Sequence, residues 1–302
     1  SAGPIANRIE NVGIAYLYPP PIAQIFAPLR LMDPIVVGWV AVAFQAALLL
    51  TLGPLVYRRY GGGTSVLEIL GVWLLLSSSW PVNFALFGGN LSGWLTILVA
   101  IMLLSDGIVA GGAASVAALM KLTPLALLLP AIAWKRTRAG ALVALIVVVG
   151  VSLVLSPGAW RGWLEALPNI VRFPTGDSPT NFAPAALLAE LGYGSVGSAI
   201  SYFGAAGFAL AAIWLGHRGR WPGAVAAGVA AILYGSGSTW DHYLAPTVPL
   251  VIAAFPRASC LVRGVLGVFV LIGLAMWLRA DALSDLARVA FLIVAVASSL
   301  AT

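Results

Sequence analysis

The chain has 302 residues, of which 61% are apolar and only 9% are Asp, Glu, Lys or Arg, against about 25% charged in an ordinary soluble domain. That composition excludes a soluble globular fold, and the mean hydropathy of +1.01 excludes a disordered chain, which would be polar and highly charged. The lone Cys260 excludes a disulfide scaffold. What remains is an all-α polytopic membrane protein, in which each spanning helix needs about 20 apolar residues. The net charge of +6 does not point to nucleic acid, because no Lys/Arg run exceeds two residues and the charges sort by location instead.

The chain opens Ser-Ala-Gly-Pro, with no Met, no signal-peptide pattern and no apolar span before residue 35. Apolar runs follow at Ile35–Val56, Val66–Trp80, Phe84–Leu104, Gly107–Met120, Leu125–Trp134, Ala139–Leu155, Gly197–Leu215, Pro222–Tyr234, Leu244–Phe255, Gly264–Leu278 and Arg288–Ala301. These predict 10 to 11 membrane helices or half-helices in one transmembrane domain. Several pieces hold only 10 to 15 residues, or about 15 to 22 Å, too short for a hydrocarbon core of about 30 Å. Short broken pieces are tolerated where protein or a wet cavity surrounds them.

Residues 156–196 form the long non-membrane excursion, broken by Pro157, Pro168, Pro174, Pro179 and Pro184. Within it Trp160, Trp163, Leu164, Leu167 and Ile170 predict a helix lying in the membrane interface, with Arg161 and Glu165 facing water. Nine of the Trp residues fall near predicted helix ends, as in an interfacial belt. Gly107, Gly111 and Ser115 make a small-residue ladder for close helix packing.

Strict alternation of the pieces puts Arg58, Arg59, Lys135, Arg136, Arg138, Arg218, Arg220, Arg257 and Arg263 on one side, the cytoplasmic one by the positive-inside rule. The other side receives residues 1–34, the turn around Lys121, the 156–196 loop, the Ser236–Tyr243 turn and the Arg279–Asp285 turn, with eight of the ten carboxylates. Residues 1–34 then need something to carry them across, which predicts at least one spanning helix ahead of residue 1.

Polar groups at membrane depth are costly and so mark function. Five clusters qualify, all outer: Tyr16–Pro21, Phe87–Asn90, Lys121–Pro124, Thr180–Phe182 and Ser238–Tyr243. Lys121 breaks the positive-inside pattern, sits between two short pieces, and precedes the N-terminal dipole end of the Leu125 helix, so a phosphate is its natural partner. A lysine snorkelling to the interface is the plainer reading. His242 follows Asp241, yet adjacent helical residues diverge by about 100°, so no triad follows. Trp240 and Tyr243 suit an interface anchor or a sugar-stacking face. There is no Asp-x-Asp pair, no phosphate-binding Gly-x-x-x-x-Gly-Lys loop, and only two His. His217 belongs to a solvated basic turn, and Glu68 and Asp106 are weak candidates for a proton path.

In order along the chain, Tyr18-Pro19-Pro20-Pro21 with Phe26-Ala27-Pro28-Leu29, Gly89-Asn90, Gly111 leading to Lys121-Leu122-Thr123-Pro124, Asn181, and Trp240-Asp241-His242-Tyr243 before Pro246 carry a resemblance. The chain resembles the polyprenol-phosphate-sugar-dependent glycosyltransferases of the bacterial alpha-mannosyltransferase group (glycosyltransferase family eighty-seven, GT-C superfamily), over roughly residues 16 to 256. It departs from the family pattern at Gly88-Gly89-Asn90, where Gly-Gln-x-Asn is expected, and in showing neither a first spanning helix nor the acidic base in the loop after it.

The resemblance implies a multi-pass protein of the bacterial plasma membrane that transfers a sugar, mannose, on the extracytoplasmic side. The donor is a polyprenyl-phosphate sugar and the acceptor a glycolipid or envelope glycan, with no cofactor and no metal. It further implies donor binding by Lys121, Tyr18, Asn90, Asn181, Trp240 and Arg172, with His242 first and Asp241 second as proton acceptor. The competing class is a transporter or lipid flippase, since broken helices also mark carrier sites; a non-catalytic subunit is the third.

Overall fold

A computed structural model describes residues 18–88, 90–121, 124–172, 183–236, 241–259 and 263. All regular structure among them is helical. In chain order the helices are α1 (Pro20–Phe26), α2 (Pro34–Arg59), α3 (Val66–Ser78), α4 (Trp80–Phe87), α5 (Ser92–Leu104), α6 (Ile108–Met120), α7 (Leu125–Ala133), α8 (Lys135–Leu155), α9 (Pro157–Arg172), α10 (Pro184–Glu190), α11 (Gly194–His217), α12 (Trp221–Gly235) and α13 (Val248–Ala254). Single 3₁₀ turns occupy Ala27–Leu31, Asp241–Thr247 and Phe255–Arg257. This is an all-α polytopic membrane protein. The expected pieces Gly264–Leu278 and Arg288–Ala301 lie outside the described residues.

Two expected pieces have different shapes. Phe84–Leu104 is broken between Phe87 and Ser92, because the Asn90 side chain accepts from the Ser92 N–H at 3.0 Å and starts a new helix there. Leu244–Phe255 begins in a 3₁₀ turn, and only Val248–Ala254 is α-helical. The α3–α4 pair bends by 61° at Ser79 (φ −70°, ψ 102°), and Pro81, in the first turn of α4, has no N–H with which to continue α3.

Long and short helices have separate places. Among the described residues α2, α8 and α11 alone are long and apolar enough to cross a membrane unaided, and most of their surface faces outward. The short helices α5, α6, α7 and α12 supply most of the buried core, with Val99, Met102, Ala114, Leu127 and Val225 inaccessible. Protein therefore surrounds the pieces that are too short to span, as their length requires.

The α6–α8 contact shows how tight this inner packing is. A Cβ on Gly111 would fall on the Thr137 carbonyl oxygen, one on Gly140 on the Ile108 carbonyl, and Ser115 Oγ donates to the Ala141 carbonyl at 2.6 Å. The small-residue ladder thus lets two backbones touch. Gly111→Ala is expected to destabilise the protein by about 1–3 kcal/mol through overpacking. Gly112→Ala, whose Cβ would meet only Ala144 Cβ at 3.9 Å, should change little; melting in detergent compares the two.

Hydrogen bonds fix the two ends of the bundle. At one end Trp221 Nε1 donates to the Met102 carbonyl (2.6 Å) and Tyr60 Oη to the Leu103 carbonyl (3.0 Å), satisfying the last-turn carbonyls that α5 cannot pair itself. Arg138 likewise caps α7 at the Ile132 and Ala133 carbonyls. Trp134 stacks on Trp221 and Arg257 lies over the Tyr60 ring, which brings the helix ends and turns bearing Arg58, Arg59, Lys135, Arg136, Arg218, Arg220 and Arg257 to this end. At the other end Gln24 Nε2 donates to the Ser152 carbonyl (3.0 Å) and Trp160 Nε1 to Ser152 Oγ (2.8 Å), tying α1 and α9 to α8. On α9 Ala166 is buried, Trp160 and Trp163 meet edge to face at 5.9 Å, and Arg161 pairs with Glu165 at 2.9 Å on the exposed face.

Candidate active site

The site lies at the end of the bundle opposite the basic turns, where α6 runs out at Met120. Lys121 continues in extended conformation (φ −146°, ψ 164°), and the next helix, α7, starts at Leu125 after Pro124. The Lys121 side chain turns inward and is only 7% exposed. Its Nζ donates to Asn90 Oδ1 at 3.2 Å and lies 4.2 Å from the centre of the Tyr243 ring and 5.6 Å from that of Tyr18. Among the described side chains no carboxylate pairs with it; the ion pairs described are Arg136–Asp106 and Arg161–Glu165.

Each neighbour is held by its own local structure. Asn90 is fixed because Oδ1 also accepts from the Ser92 N–H and Ser92 Oγ, both at 3.0 Å. Tyr18 leads into α1, which Pro20 and Pro21 start, and rests on a small apolar cluster of Ile22, Leu91 and Met120. His242 and Tyr243 come from the 3₁₀ turn, which packs on α4. His242, 3% exposed, stacks on Phe84 at 5.9 Å and meets the Tyr243 ring at 4.7 Å.

These groups sit in connections between helices, and burial dominates their ionisation. It pulls the Lys121 ammonium down to about 8. Burial, and then the charge of Lys121, hold His242 down at about 3, so the imidazole is neutral at physiological pH. Burial and then Tyr18 push Tyr243 up to about 12, leaving its phenol protonated. A buried cation without a described carboxylate is an anion site by its chemistry, since the desolvation it suffers is recovered when an anion arrives.

Of the residues expected from the sequence, Tyr18, Asn90, Lys121 and His242 come together here. Asp241 shares the turn of His242, although its side chain lies outside the described atoms. Arg172 closes α9, its side chain likewise outside. Asn181 and Trp240 lie outside the described residues. Glu68 and Asp106 belong to the basic end. Glu68 is committed to a capping box with Ser65 and to the Tyr57 hydroxyl, and Asp106 to Arg136 at 3.6 Å. Sequence reasoning missed two members. Phe84 gave no signal beyond its apolar run, and Tyr243, read as an anchor or sugar platform, has a cation and an imidazole against its ring.

A model of Glycosyltransferase family 87 matches residues 16–237 of the chain. The chain belongs to glycosyltransferase family 87. The matched stretch contains Tyr18, Asn90 and Lys121, and the turn bearing His242 and Tyr243 follows directly after it. No curated protein and no solved structure matches the chain. This family 87 protein is therefore a membrane glycosyltransferase, with its polar site at one end of the helical bundle.

Proposed function

We propose that this family 87 protein transfers mannose from a polyprenyl-phosphate carrier to a glycolipid or cell-envelope glycan acceptor. The carrying observation is Lys121, a buried ammonium held by Asn90 and two tyrosine rings with no carboxylate described against it. In the transfer the bond from the anomeric carbon to the phosphate oxygen breaks and one to the acceptor hydroxyl oxygen forms. The lipid phosphate leaves with the bonding pair, and the acceptor proton is released. Lys121 stabilises the charge growing on that phosphate in a site shielded from water. Tyr18, Asn90, Asn181, Trp240 and Arg172 bind the donor, and His242, with Asp241 second, takes the proton. The lysine supplies the positive charge that other transferases take from a metal, so the reaction needs neither metal nor cofactor.

The positive-inside rule assigns the basic end to the cytoplasm of a bacterial plasma membrane and the site to the extracytoplasmic face, where membrane lipids and both co-substrates meet it. The test is transfer of radiolabel from polyprenyl-phosphate mannose to a lipid or glycan acceptor by the purified protein, with and without EDTA. Chelator-resistant transfer is expected; its absence with this donor overturns the reading. A carrier remains the second reading, favoured by the 61° break between α3 and α4. Against it stands the gathering of polar groups at one end of the bundle, and lipid scrambling in vesicles without sugar transfer would select it.

A further inference from the structure

The Lys121 ammonium poses a problem that its surroundings answer. A buried cation ordinarily needs a carboxylate, but a carboxylate here would neutralise it and compete with an incoming phosphate. The titratable groups that face Nζ among the described side chains are Tyr18, His242 and Tyr243, and Asn90 is the polar neutral one. The ring at 4.2 Å is within cation–π range, and the indole and phenol faces of proteins attract ammonium groups without cancelling their charge. The same ring braces His242 at 4.7 Å on its other contact, so its position is fixed by packing.

We propose that Tyr243 is a positioning residue: its ring face takes the place of a counter-carboxylate, keeping the Lys121 ammonium charged and directed at the phosphate's seat. This rests on the reading of Lys121 as the donor-phosphate ligand. The consequence is a cation that stays available, because the quadrupole of a ring supports a charge and leaves its anion-binding capacity intact. Tyr18 at 5.6 Å does the same more weakly, and Asn90 fixes the direction of one N–H.

The sequence offers a direct handle, since Lys121 and Lys135 are its only lysines. In a Lys135→Arg background, lysine labelled at Cε with carbon-13 reports the titration of Lys121 alone, in detergent and without any substrate. The midpoint is expected near 8. Tyr243→Phe should preserve it, while Tyr243→Leu should lower it by roughly 0.4–1.5 units and weaken binding of a prenyl phosphodiester at pH 8. An unchanged midpoint in Tyr243→Leu overturns the proposal. So does a rise toward 10.5, which would mean that the ring only shields Lys121 from water. Should Tyr243→Leu not fold, phenylalanine bearing five ring fluorines at position 243 keeps the shape and reverses the quadrupole; a lowered midpoint supports the proposal and an unchanged one overturns it. Because no transfer is measured, failure here is distinct from failure of the glycosyltransfer reading.

Discussion

Lys121→Met is expected to lower kcat/KM for sugar transfer by about 10²–10³-fold, the usual cost of removing one preorganised charge stabiliser. Protein yield and melting temperature should hold. Met fills similar volume without a charge to desolvate, and replacing a buried ion by an apolar group of like size is commonly neutral or stabilising. Asn90 Oδ1 loses one donor but keeps the Ser92 N–H and Oγ, so no buried acceptor is orphaned. Initial rates with a radiolabelled donor, set beside a melting curve in detergent, separate the two effects. A folded Lys121→Met protein with undiminished turnover would remove the lysine from the mechanism.

The second large effect concerns the proton. His242 is neutral because burial and Lys121 together hold it near 3. It is therefore ready to accept a proton at pH 7, but as a weak base in the free protein. A donor phosphate seated on Lys121 offsets the second of those causes and leaves the first, so basicity rises when the donor binds. His242→Asn is accordingly expected to lower kcat by roughly 10²-fold, at the low end of the usual range for general-base catalysis. Asp241→Asn should cost less, and the double variant should be no worse than the poorer single one, since groups serving one proton path are not additive. Losses that multiply in the double variant would show that the two residues act separately. Single-turnover rates at pH 7 make the comparison, which also probes the stacking of His242 between Phe84 and Tyr243.

Much of this molecule was legible from hydropathy and charge. Alternating the apolar runs put nine of the sixteen cations on one side, and the structure gathers the corresponding turns at one end, where Arg138 caps α7 and Trp221 caps α5. The anomaly of Lys121 was visible for the same reason. Hydropathy could not say which helices form the rim and which the core, because α5, α6 and α12 are as apolar as α2, α8 and α11 around their whole circumference. Length decides that, and the long helices carry the lipid-facing surface. The break ahead of Ser92 also escaped the window, since it rests on the local turn in which Asn90 Oδ1 accepts from the Ser92 N–H and Oγ, and an averaged hydropathy smooths that away.

The site was legible as separate polar turns, and its assembly was not. Lys121 and Asn90 are 31 residues apart, and Tyr243 reaches the same ammonium from the far end of the described chain. Nothing local to Tyr243 distinguishes a cation platform from an interfacial anchor; the difference lies in which ring face packs on which neighbour. Phe84 shows the same limit. It belongs to a short helix tipped by the bend at Ser79, and only that tilt brings its ring to His242.

The proposed transfer depends on the buried Lys121 ammonium receiving the donor phosphate. The affinity of a short prenyl phosphodiester, measured by calorimetry between pH 6 and 10, tests it most directly, because such a ligand keeps one negative charge across the whole range. Binding requires the protonated lysine, whose midpoint in the free protein is about 8. Affinity should therefore be level below that pH, fall about tenfold per unit above it, and be weak and flat in Lys121→Met. An affinity indifferent to pH, or equal in the two proteins, would remove Lys121 as the phosphate ligand.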